Sequence, residues 1–71
     1  GSLYKTKISI PIWPVDSFFS GKTNLWIVGD DFFTIVEKDP HHFLVHTRLG
    51  VFKTSNLYQY TDFENFFELI E

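Results

Sequence analysis

The stretch from Asn24 to Thr54, NLWIVGDDFFTIVEKDPHHFLVHTRLGVFKT, constrains the fold more than any other part of the chain. Short runs rich in Phe, Ile, Val and Leu alternate with residues that turn a backbone: Gly29-Asp30-Asp31, Lys38-Asp39-Pro40-His41 and Leu49-Gly50. Aromatic and β-branched side chains suit a pleated, half-buried surface, whereas Gly, Asp and Pro interrupt it. Strands are therefore predicted at Asn24 to Gly29, Phe32 to Glu37, Phe43 to Arg48 and Val51 to Thr54. Pro40 sets its own φ and pushes Asp39 away from helical angles, which fixes the middle turn.

The flanks extend this pattern. From Tyr4 to Ile12 the chain alternates, with Tyr4, Ile8, Ile10 and Ile12 on one side and Lys5, Lys7, Ser9 and Pro11 on the other. That is the period of a half-buried strand. Pro11 has no amide hydrogen for a ladder, so this strand, or its end, is expected at an edge or a bulge. Trp13-Pro14 breaks it, and Val15 to Thr23 reads as irregular. Leu57 to Tyr60 could add a short last strand. The period then changes. Thr61 and Glu64 fit a capping box, and Phe63, Phe66, Phe67 and Ile70 recur at the spacing of one helix face. Asp62 and Glu64 suit the positive end of that helix, while Glu68 and Glu71 oppose its negative end. The expectation is an α+β domain: a small antiparallel meander of about five to six strands with one C-terminal α-helix packed across it.

Seventy-one residues make one domain near the lower size limit for an unaided core. Aromatic residues are 20% of the chain, and each large ring can bury roughly 150–250 Å², which makes a compact core attainable. There is no cysteine, so disulfides and thiolate metal sites are excluded. The net charge is −3, with Asp62, Glu64, Glu68 and Glu71 in the last ten residues and no basic residue among them. Clustered Lys and Arg of the kind that binds nucleic acid are absent, and no apolar run approaches the roughly 20 residues of a membrane span. The absence of cysteine suits a cytosolic or nuclear setting, and a cytoplasmic one is expected. Gly1-Ser2 reads as an expression-tag remnant, which leaves 3–71 as a single domain cut from a larger protein.

The candidates for chemistry reduce to turns. His41, His42 and His46 lie within six positions, but His42 and His46 on one strand stand roughly 13 Å apart, too far to converge on a metal. Gly21-Lys22-Thr23 resembles the end of a phosphate loop, yet Asp16 stands where that motif needs glycine, and a strand follows where it needs a helix. Asp30-Asp31 diverge as neighbours in a turn. No Ser–His–Asp order can be placed. Catalytic, cofactor-binding and metal-ligating residues are therefore not assigned, and an enzyme is not expected. Trp13, Phe18, Phe19 and Leu69 fall off the predicted core pattern, which leaves two readings open: the loop folds back and buries them, or they are partly exposed and mark a protein-binding surface.

The run TNLWIVGDDFFTIVE, the hairpin HHFLVHTRLGVFKTSNLY and the segment TDFENFFELI together resemble a polo box, over about two thirds of the chain. The similarity is greatest to the short divergent polo box at the C-terminus of the polo-like kinase that initiates centriole duplication. The resemblance implies a sheet of about six strands crossed by a helix. It also implies a non-catalytic part of a serine/threonine kinase, recruited to the centriole or centrosome by a helical or coiled-coil segment of an assembly protein, with self-association as a further possibility. Asp31-Phe32-Phe33-Thr34 lacks the His and Lys with which the phosphopeptide-reading member meets phosphate, so phosphopeptide binding is not implied. The rival expectation is a small β-barrel adaptor of the SH3 or Tudor kind, binding a peptide in an aromatic groove lined by Trp26, Tyr58 and Tyr60. A long C-terminal helix would speak against such a barrel, which closes on itself.

Overall fold

The computed structural model describes residues 2–16, 23, 25–60 and 62–71. They form β1 (Leu3–Thr6), β2 (Ile10–Pro14), β3 (Leu25–Ile27), β4 (Phe32–Lys38), β5 (His42–Thr47), β6 (Gly50–Ser55), a 3-10 turn (Leu57–Gln59), α1 (Phe63–Phe66) and β7 (Phe67–Leu69). The strands make one antiparallel sheet in the order β3-β2-β6-β5-β4-β1-β7. The central meander β4-β5-β6 follows the sequence pattern, but the structure has more strands than the pattern predicts and is mostly β. The sheet curls into a half-barrel, with the 3-10 turn and the short α1 against its concave side. Ile10, Ile12, Ile27, Phe33, Ile35, Phe43, Val45, Leu57 and Phe67 fill that core.

Three local features set the curl. The predicted strand from Tyr4 to Ile12 is two strands, because the fully buried Thr6 bends the chain after β1. Its hydroxyl donates to the Ile8 carbonyl at 2.5 Å and accepts from the Ile8 amide at 3.2 Å, an alternative to ladder bonds that threonine side chains offer. β1 can then pair with β4 and β7 while β2 pairs with β3 and β6. In β4, Ile35 faces Val45 and Glu37 faces Leu44, so Val36 is an extra residue that adds twist. Pro11 is not on an edge strand. It lies where β2 is paired with β3, and on its other flank Thr54 donates its hydroxyl to the Pro11 carbonyl at 2.8 Å.

The C-terminal segment departs most from expectation. In place of a helix across the sheet there is one turn, Phe63–Phe66, and then β7 running along β1. A helix of about ten residues is marginal by itself, and Glu68 and Glu71 at its negative end would weaken it further. The edge of β1 offers ladder bonds instead, and the switch to extended backbone drops Phe67 into the core at 1% exposure. Phe63 and Phe66 pack beside it, whereas Ile70, the last member of the predicted stripe, is 43% exposed. Thr61 of the predicted capping box lies outside the described residues, and the Asp62 side chain makes no cap hydrogen bond. Leu57 to Tyr60 is likewise no strand: Asn56 Oδ1 accepts from the Tyr58 amide at 2.9 Å and starts the 3-10 turn.

Candidate functional site

A groove of about 460 Å³ opens on the concave side where β1, β7, α1 and the 3-10 turn meet. Tyr4, Tyr58, Phe63, Glu64, Phe67, Glu68 and Leu69 line it. Register explains how β1 and β7 supply it. Tyr4 sits opposite Phe33 on one side and Leu69 on the other, so all three share the concave face, while Lys5 and Glu68 alternate to the convex one. Leu69 is thus an apolar side chain on the inner face of the last strand, yet 60% exposed, because among the described residues no strand continues the sheet beyond it.

The wall is a chain of ring contacts. Tyr4 stacks on Phe33 with centroids 5.7 Å apart and meets Phe63 edge-on at 5.6 Å. Tyr58 packs edge-on against Phe43 at 5.3 Å and tilts against Phe63 at 5.0 Å. Phe63 therefore bridges the two tyrosines, and the core rings Phe33 and Phe43 hold those tyrosines from below. Such contacts fix ring orientation beyond simple burial. Tyr58 keeps 51% of its surface exposed.

The charges at the rim are divided. Glu64 stands on the α1 side, while Glu68 borders the groove from β7 with its side chain on the convex face. On the Tyr58 side, Lys38 donates to the Tyr58 hydroxyl at 2.5 Å, a bond that holds the lysine above its ordinary pKa. The ammonium is 4.9 Å from the ring centroid. An ammonium so close to the phenolic oxygen lies off the end of the ring, so the contact is a hydrogen bond rather than a cation–π one.

The predicted binding residues separate. Leu69 lines the groove. Trp13 lies half-buried on the convex side of β2, opposite Lys53, and Phe18 and Phe19 fall outside the described residues. Of the rival set, Tyr58 lines the groove, Tyr60 lies beside it against Phe66 and Phe67, and Trp26 is on β3 at the far end of the strand order. Tyr4, Phe63 and Glu64 join the site without having been singled out. Their convergence depends on β7 pairing with β1, a contact between chain ends that no local pattern announces.

Of the other candidates, Asp30-Asp31 and Asp39 lie in turns between strands, whereas His42 and His46 lie on a strand. His42 and His46 share the convex face of β5, with Leu44 between them. Asp39 Oδ1 accepts from the His41 amide at 3.2 Å. Asp30 adopts a left-handed φ of 70°, and Asp31 accepts from the Phe32 amide and meets Arg48 at 3.2 Å. Gly21 and Lys22 lie outside the described residues, and Thr23 donates to the Ile12 carbonyl at 2.6 Å. Among the described residues no three His, Asp or Glu side chains are grouped to hold a metal ion, and no helix is long and apolar enough to cross a membrane. Comparison with protein-family models, curated proteins and solved structures returns no match, so the assignment of a role rests on this groove.

Proposed function

We propose that the chain is a non-catalytic protein-interaction module, related in manner to the small β-barrel adaptors, that takes a short partner segment in the groove of Tyr4, Tyr58 and Phe63. One observation carries the reading: three rings, braced by the core, border an open apolar groove of about 460 Å³ at the edge of the sheet. That volume suits a few side chains. Glu64 on the rim favours a segment that mixes apolar with basic residues. The polo-box resemblance leads to the same class of function by another route. It leaned partly on a helix across the sheet, and that segment is one turn followed by a strand, so the groove reading does not draw on it.

The test is selection of binders from a random dodecapeptide library displayed on phage, followed by titration of the best synthetic peptide. Tyr58→Ala, checked by circular dichroism for an intact fold, should weaken that peptide by about tenfold or more, the loss typical of a truncated aromatic anchor. Glu64→Lys should weaken peptides that carry Lys or Arg. A selection with no enrichment, or binders indifferent to Tyr58→Ala, would remove the groove as the site.

A further inference from the structure

The outer edge of β7 gives the groove reading a mode of binding. Lys7 donates its amide to the Phe66 carbonyl at 2.8 Å, and Ile70 donates its amide to the Leu3 carbonyl at 2.8 Å. From Phe66 to Ile70 the even-numbered residues therefore direct their backbone groups at β1, and past the end of β7 the Glu71 carbonyl also accepts from the Leu3 amide at 3.0 Å. Antiparallel ladders alternate, so Phe67 and Leu69 direct theirs away from β1. The Phe67 amide closes α1 on the Phe63 carbonyl. That leaves the Leu69 amide and the carbonyls of Phe67 and Leu69 along an edge to which, among the described residues, no strand is paired. The same two residues turn their side chains onto the concave face, and both line the groove.

We infer that the partner is an extended peptide which adds to β7 as an eighth strand, on the groove reading made above. Its backbone bonds to Leu69, and alternate side chains enter the groove beside Leu69 and Tyr4. Strand addition of this kind takes affinity from main-chain bonds and specificity from pockets for every second side chain. Charge selects the occupant. Asp62, Glu64, Glu68 and Glu71 flank this edge with no basic residue in the last ten positions. A second copy of β7 would bring carboxylates against carboxylates, which opposes self-pairing as charged edge strands do. A partner strand with apolar residues at alternate positions and Lys or Arg between them places opposite charge beside Glu68 on the convex face.

The probe is the tightest peptide from the library selection, resynthesised with single backbone N-methyl groups along its length and titrated against the intact chain. Strand addition predicts losses of about tenfold at two peptide bonds spaced two residues apart, those that donate to the Phe67 and Leu69 carbonyls, and little effect between them. It also predicts slowed hydrogen exchange at the Leu69 amide in the complex. A Tyr58-dependent peptide with no alternation in the scan and an unprotected Leu69 amide would overturn strand addition and leave the groove standing. Absence of any Tyr58-dependent peptide would overturn both.

Discussion

Single residues settle where this chain bends. Thr6 reads in the sequence as one more polar position on a strand, yet its hydroxyl ends β1 and frees β2 to find other partners. Gly50 opens β6 at a φ of 125°, a conformation that only glycine adopts without strain. Tyr60 gives a pH signature. Its ring packs on Phe66 and Phe67, and burial pushes its pKa above the ordinary value of about 10. Below that pH the phenol is protonated in folded and unfolded chains alike, so stability is unaffected. As pH rises past about 10 the unfolded chain releases its proton first, and the folded state loses stability until the folded pKa is passed. Urea denaturation of the native chain and of Tyr60→Phe between about pH 9 and pH 11 should therefore show the native chain losing stability faster. Parallel curves would mean the phenol is as well solvated folded as unfolded.

At the level of elements, β4, β5 and β6 were legible because everything that defines them is local. Alternation, turn residues and a hairpin partner all fall within a few positions of one another. The C-terminus was illegible for the opposite reason. Phe63, Phe66, Phe67 and Ile70 carry a genuine helical spacing, but the choice between helix and strand is made by β1, at the other end of the chain. The two structures predict different mutants. A helix face would make Phe67 and Ile70 comparable anchors. The strand makes Phe67→Ala cost about 3–5 kcal/mol, enough to unfold a domain of this size, while Ile70→Ala stays within about 0.5 kcal/mol. Thermal melts of the two variants decide it, and equal losses would restore the helix. Leu69 shows the same limit at the candidate site. The sequence leaves its exposure open and argues it from a helix stripe that is a strand here, and its place beside Tyr4 depends on register.

Across the whole molecule, the strand order puts the first strand between the fourth and the last, and the groove lies on that seam. Tyr4 and Leu69 face each other across nearly the full length of the chain, whereas β4, β5 and β6 pair through tight turns. Contacts between distant positions carry a larger loop-closure cost, so the meander should form early and the β1–β7 seam late. Local opening should run in reverse. Amides that bond across the seam, such as Lys7 and Ile70, are expected to exchange faster under native conditions than those between β4 and β5. Uniform exchange across the sheet would show a single cooperative unit instead. A partner that grips the groove then does more than occupy a surface. It fastens the two ends of the chain to each other, and at a concentration about 100 times its Kd it would add about 2.7 kcal/mol to the folded state. For so small a domain that would be a large share of the total, so the stability of the fold would rise with the concentration of any such partner.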